Sequence, residues 1–299
     1  MYYYTAFLLP IASDLPLPGY HVAGTCERAL PPAIQLVRAT ASVQDMKSDQ
    51  GDHIVGRAPE MFHFRAVEGR LLEYEPLPGA EPSFMQTILS GELMAVLLRQ
   101  RGLLVLHASC VAREDGAIVF VGDSGWGKST TALHLVRHHG YTLMADDIAA
   151  IDCETAPPHV LPGPTQMKLG EDVGARYVEE FEELTAAHAF TRKRLYIHEQ
   201  QPIRKAVPVR CVVLLEPEAR AANRIIPLEA RVALPALIEH TRGRRLLRSA
   251  RYQAAHFQQV ARLLGQVPVF LLERTRRLAD LEDVTRHVLQ AADRLASPL

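Results

Sequence analysis

Three small groups of residues have types and spacings suited to chemistry. In the stretch GDSGWGKST, Gly122, Gly127, Lys128 and Ser129 fall on the pattern G-x-x-x-x-G-K-[ST]. Glycines there let backbone N–H groups turn inward around phosphate oxygens. The lysine reaches the β- and γ-oxygens, and the serine hydroxyl is placed for Mg²⁺. The run Gly122, Asp123, Ser124, Gly125, Trp126, Gly127, Lys128, Ser129 and Thr130 is therefore the candidate binding loop for a nucleoside triphosphate. The second group is the pair Asp146 and Asp147. Two adjacent carboxylates just past the helix that follows such a loop can divide labour, one in the shell of a metal ion and the other accepting a proton from an attacking hydroxyl. The bland reading of the pair is an acidic turn. Third, His107 precedes the loop at the end of a strand, and Ser109 stands two residues after His107. A lone histidine at a strand end is most simply a satisfied core or edge residue, and it gains a catalytic meaning only if it orients an aspartate.

These residues need elements to hold them. Apolar residues 117–121, AIVFV, predict a strand running into the glycine-rich loop, and Ala132, Leu133, Leu135 and Val136 predict an amphipathic helix over 129–139, stopped by Gly140. A strand over 142–145 then delivers Asp146 and Asp147. Upstream, residues 103–107 read as a strand, with a turn at 114–116. Downstream, strands begin at Cys211 and Val267, and helices are expected over 232–241, 252–264 and 281–292. This alternation argues for an α/β sheet with flanking helices. Residues 1–82 read instead as a small β-rich module, with strands at 3–9, 34–37, 61–65 and 71–74 punctuated by prolines. An amphipathic helix over 82–101 opens the second unit, residues 83–299.

Composition limits the function classes. Of 299 residues, 48% are hydrophobic and 22% charged, as in an ordinary globular chain, and the formal net charge is -1. No global field favours nucleic acid or an anionic membrane. No stretch resembles a membrane span or a signal peptide, and the four cysteines form no Cys-x-x-Cys pair. The expectation is a cytoplasmic protein with no nucleic-acid and no membrane partner. Basic residues cluster at Arg192, Lys193 and Arg194 and again at Arg242, Arg244, Arg245, Arg248 and Arg251. They are solvated faces unless one of them reaches a transferring phosphate or a peptide carboxylate. His138 and His139 suit the negative end of a helix, and no metal is assigned to them.

The segments LLVLH, GDSGWGKST and GYTLMADDIAAI, in that order, resemble those of the HPr serine kinase/phosphorylase family, with the same spacing from His107 to Lys128. The resemblance covers about residues 103–151. It implies a P-loop sheet like the catalytic domain of that family, with ATP and Mg²⁺ as cofactors. Lys128 and Ser129 would bind phosphate, Ser129 and Asp146 would hold magnesium, Asp147 would accept the proton, and His107 would belong to the catalytic site. The family's Leu-Glu-x-Arg-Gly signature is not found after Ile151, where VLPGPTQMKL stands instead. The chain looks more like a divergent branch that includes kinases of the C-terminal serine of lasso-peptide precursors. The implied function is an ATP- and Mg²⁺-dependent serine kinase acting on a precursor peptide or small protein, with a possible homo-oligomer by analogy. A nucleotide-dependent precursor-binding scaffold, an HPr-type regulatory kinase and a signalling NTPase are the alternatives. The last lacks both an LSGGQ segment and an Asn-Lys-x-Asp guanine reader.

Overall fold

Residues 62–67, FHFRAV, alternate buried and half-buried side chains, the period-2 signature of a strand with one face on a core. In a computed structural model, which describes residues 1–44, 46, 52–198, 203–217 and 223–294, this segment lies in a seven-stranded mixed sheet. Its strands are β1 (Tyr2–Ala6), β2 (Leu9–Ser13), β3 (His21–Val22), β4 (Ile34–Arg38), β5 (His53–Ala58), β6 (Phe62–Val67) and β7 (Leu71–Pro76), with the short helix α1 (Thr25–Arg28) between β3 and β4. The spatial order is β3-β1-β2-β4-β7-β6-β5, and the pairs β2–β4 and β4–β7 are parallel. The single strand expected over 3–9 is a hairpin instead. Phe7 and Leu8 both have positive φ, as a two-residue turn of the primed kind requires. The sequence hides this turn because Phe7 is 1% exposed, serving the core rather than the solvent.

The expected helix over 82–101 is present in three parts. Glu81 caps α2 (Pro82–Ile88) by accepting from the N–H groups of Ser83 and Phe84, with proline at the favoured first position. A π-helical turn, Leu89–Leu93, joins it to α3 (Met94–Gln100). Leu89, Leu93, Met94, Leu97 and Leu98 belong to the same core as Ile34, Leu36, Phe62 and Leu72 of the seven-stranded sheet. Val105, Ile148 and Ala150 join that core from beyond the helix, so it is continuous with the strands that carry the aspartates.

The remaining strands are β8 (Leu104–Leu106), β9 (Ala108–Arg113), β10 (Gly116–Val121), β11 (Thr142–Ala145), β12 (Ala149–Asp152), β13 (His159–Val160), β14 (Gln166–Leu169), β15 (Arg194–Ile197), β16 (Val207–Pro217), β17 (Arg224–Pro227) and β18 (Val269–Arg274). Nine of them make a mixed, curled sheet in the order β11-β9-β10-β16-β13-β12-β8, with β18 beside β16 and β17 beside β18; β14 and β15 pair separately. The helices are α4 (Lys128–His138), α5 (Glu171–Tyr177), α6 (Ala230–Glu239), α7 (Ala250–Gln266) and α8 (Leu281–Arg294). All six residues of β10 are buried, and they sort by parity. Ile118 and Phe120 meet α4 and α8 through Leu133, Val136 and Val288, while Val119 and Val121 meet α6 and α7 through Leu237 and Val260. The fold is thus a mixed α/β architecture with helices on both faces of this sheet. Among the described residues no helix is long and apolar enough to cross a membrane, and all four cysteines are free thiols.

Leu93 lies 1% exposed in the core shared by the helix and the seven-stranded sheet. Leu93→Ala should therefore lower unfolding free energy by about 2–5 kcal/mol, read as a shifted midpoint in urea denaturation. A shift under a few tenths of that size would mean that the two parts of the chain do not share a core.

Candidate functional site

The chain does not run straight through either of the segments that carry the candidate residues. The strand expected over 103–107 is β8, which ends before His107, and a separate strand, β9, follows that residue: β8 pairs with β12, and β9 pairs with β10 and β11. The partner segment divides at Asp146–Asp147–Ile148 in the same way. Ala149 lies opposite Leu106, and Ala145 lies opposite Cys110. One register therefore persists across both interruptions, which places Ser109 opposite Asp146 and His107 diagonal to Asp147. A bulge at Met144 adjusts the pairing just before the aspartates. Asp147 itself has φ of 71°, a conformation unusual for a residue with a Cβ. The two neighbouring carboxylates consequently face different partners.

Asp146 turns toward the glycine-rich loop. It is buried, and its Oδ1 accepts from the Ser129 hydroxyl at 2.9 Å and from the Ser109 hydroxyl. Burial raises its pKa, and the two serine hydrogen bonds oppose that rise. Asp147 faces the other way. Arg242 donates to its Oδ1, Lys168 donates to its Oδ2 at 3.3 Å, and His107 Nε2 lies 3.4 Å from Oδ1. Burial alone would raise the Asp147 pKa, but Arg242 and Lys168 outweigh it and hold the carboxyl well below its usual range. His107 is pushed down to about 3 by burial, with the Arg242 and Lys128 cations adding to the effect. It is a neutral imidazole at pH 7, able to donate one N–H to Asp147.

The loop leaves the carboxyl end of β10, beside the ends of its parallel neighbour β16 and of β18. Gly122, Gly125 and Gly127 all have positive φ. At Gly127 space is restricted as well, since a Cβ would lie 2.5 Å from the Arg274 guanidinium. Arg274, buried at the end of β18, donates to Thr131 Oγ1 and to its neighbour's carbonyl, and so braces the loop from beneath. Helix α4 starts at Lys128 with no side-chain cap, so its first-turn N–H groups and the positive end of its dipole are left to the cleft. Lys128 folds back, donating to the carbonyls of Gly122 at 2.7 Å and Asp123 at 3.0 Å, and burial lowers its pKa to about 8. Trp126 packs on Gly122 and edge-on to His240.

These groups line one cleft of about 660 Å³. Ser124, Gly125, Gly127, Lys128, Ser129, Thr130, Asp146, Asp147 and His107 all border it. Of the remaining sequence candidates, Gly122, Asp123 and Trp126 lie in the loop but do not line the cleft. Three cations had not been assigned to the site from sequence. Arg242 belongs to a basic cluster in which the sequence singles out no residue, yet its N–H donates to the Val105 carbonyl and its side chain is clamped between Asp147 and Glu92 of the π-helical turn. Lys168 comes from β14 within VLPGPTQMKL, and Lys193 comes from the other basic cluster and lines the cleft with His188 and Thr191. The signal that could have found Lys168 is its half-buried place between the buried Met167 and Leu169 on β14. Oxygen donors from Ser129 and Asp146 suit a hard ion such as Mg²⁺, which takes a few protein ligands and completes its shell with phosphate and water.

Because His107 is held neutral in the fold, its proton affinity favours the unfolded chain, whose histidine titrates near 6.5. The stability tied to this group is fully present above that value and is lost as pH falls from 6.5 toward about 3. His107→Gln should make stability less dependent on pH over this interval, by up to about 1.4 kcal/mol per pH unit. Denaturant melts at a series of pH values measure this, and parallel curves for the two proteins would show that His107 is not buried neutral.

Compared with known proteins, the chain matches no family model and no curated protein.

Proposed function

We propose that this chain is an ATP- and Mg²⁺-dependent serine kinase with a P-loop fold, acting in the cytoplasm on a serine of a peptide or small protein. The observation that carries this reading is the opposite orientation of two adjacent carboxylates in one cleft, Asp146 on the Ser129 side and Asp147 among Arg242, Lys168 and His107. A phosphoryl-transfer site needs this division, because the group that helps hold the metal cannot also serve the incoming hydroxyl. The sequence resemblance suggests the C-terminal serine of a lasso-peptide precursor as the specific acceptor.

In this reading the loop N–H groups, Lys128 and the start of α4 would hold the triphosphate, and Ser129 and Asp146 would hold Mg²⁺, which would supply positive charge to offset that of the phosphates. Asp147 takes the proton of the serine hydroxyl as its oxygen bonds to the γ-phosphorus. The bond from that phosphorus to the β,γ-bridging oxygen breaks, and ADP leaves. Arg242 and Lys168 both contact the Asp147 carboxylate. A triphosphate in the cleft draws these cations toward its oxygens, which both stabilises charge in the transition state and restores basicity to Asp147. His107, neutral, keeps the carboxylate oriented.

The cation grip on Asp147 also favours a second reading, since a carboxylate so held is a weak base. The chain would then bind nucleotide and present a precursor peptide without transferring phosphate. Substitutions separate the two. Lys128→Ala should lower phosphoryl transfer by about 10²-fold or more, followed as phosphate incorporated into a serine peptide. Asp147→Asn should abolish incorporation yet leave nucleotide binding intact, read from the emission of Trp126, the one tryptophan in the sequence. Wild-type protein that binds ATP and Mg²⁺ but modifies no peptide would favour the binding role, and normal turnover by the Asn variant would remove Asp147 as the base.

A further inference from the structure

At the far end of α4 from the glycine-rich loop, a second group of ligating side chains converges. His134 lies on the buried face of the helix. Its Nδ1 is 2.8 Å from the Tyr177 hydroxyl at the end of α5, and its Nε2 is 3.1 Å from Glu282 Oε2 in the first turn of α8. His139, just past the end of α4, brings its own Nε2 to 3.5 Å from the same carboxylate oxygen. The three ligand atoms all lie within 4.8 Å of one another. Helix α4 with its C-terminal cap, and the first turn of α8, thus bring two imidazole nitrogens and a carboxylate oxygen together.

The chemistry of the donors narrows what belongs there. A tetrahedral zinc site with bonds of about 2.0–2.1 Å separates its ligand atoms by roughly 3.4 Å, and the separations of 3.1 and 3.5 Å to Glu282 fall on either side of that value. In the tautomer whose Nδ1–H donates to Tyr177, the Nε2 lone pair faces the Glu282 carboxylate and a cation between them satisfies both; in the other tautomer Nε2–H donates to Glu282 directly. An orienting hydrogen bond on the distal imidazole nitrogen is the usual support of a histidine ligand. Two imidazoles and one carboxylate suit a borderline ion of the zinc type better than Mg²⁺.

We propose that His134, His139 and Glu282 form a zinc-type metal site that ties the C-terminal end of α4 to the start of α8. The fourth position is left to water. The site is separate from the one assigned to Mg²⁺, because Ser129 lies near the opposite end of the same helix. It would fasten the helix that carries the phosphate-binding N–H groups against α8, and its occupancy does not depend on the chain being a kinase.

The test titrates zinc chloride into EDTA-dialysed full-length protein by calorimetry, with Co²⁺ absorption as a report on geometry. One ion should bind per chain, and Co²⁺ should give the visible bands of a tetrahedral site. His139→Ala and Glu282→Gln, at positions more exposed than His134, should each weaken zinc binding by about tenfold or more and remove the cobalt bands. Both variants should unfold at the wild-type temperature in EDTA, which separates loss of a ligand from loss of fold. Asp146→Asn should leave zinc binding unchanged. The proposal is overturned if zinc does not bind, if it binds equally to both variants, or if Asp146→Asn removes it. Unfolding of the variants in EDTA well below the wild-type temperature would also overturn it, since Glu282 and His139 would then be acting as a metal-free structural contact.

Discussion

The site depends on one backbone constraint, the simultaneous interruption of two antiparallel partners at a common level. If β8 ran straight into β9 and β11 into β12, Asp146 and Asp147 would be alternate side chains of an ordinary strand. The break at residues 107–109 against 146–148, with the register kept on either side, opens the ladder while leaving its ends fixed. Ser109 then meets Asp146, and the left-handed backbone at Asp147 sends the second carboxylate toward the seven-stranded half of the molecule. The outer edge of β8 completes the arrangement. His107 N–H donates to the His240 carbonyl and Arg242 N–H to the Val105 carbonyl, so the segment after α6 is stitched beside the break and Arg242 is brought onto Asp147.

Electrostatics follow from that geometry. The cleft collects two acidic groups and several cations in partly buried surroundings, where no charge is tolerable alone. Asp147 is balanced by Arg242 and Lys168, and Arg242 is in turn shared with Glu92 of the π-helical turn. A helix whose core residues lie under the N-terminal sheet therefore reaches the chemical groups directly. π-helical turns are frequently found at functional positions because they reposition side chains within a helix. Here the turn brings Gly91 close to the Asp147 carboxylate and lets Glu92 accept from the Gly243 N–H.

Much of this was legible in the residues. The loop, its strand and its helix were marked by glycine spacing and apolar periodicity, and the observed bounds of β10, α4 and β11 lie within about two residues of the expected ones, the usual scatter of element ends. The buried strand β18 was equally plain, whereas β16 begins at Val207, ahead of the expected start at Cys211. What stayed hidden were features that depend on distant partners. β14 and β15 have four residues each, too short for an alternating pattern to stand out. The hairpin at Phe7–Leu8 lacks Asn or Gly because tertiary packing supports its positive φ. Arg242 looked like one of five arginines on a solvated face, and only the pairing of residues 240–242 along β8 distinguishes it. The strand end at His107 was expected, but the separate strand β9 that follows it at once was not, since its pairing with β10 and β11 arises from sheet topology.

The central claim is that Asp146 and Asp147 have separate tasks on the two sides of one cleft. Calorimetric ATP binding with and without Mg²⁺ by Asp146→Asn and Asp147→Asn tests it most directly. The account predicts that Asp146→Asn loses the Mg²⁺-dependent part of the affinity, whereas Asp147→Asn keeps it. Equal losses in both variants, or a loss confined to Asp147→Asn, would contradict it.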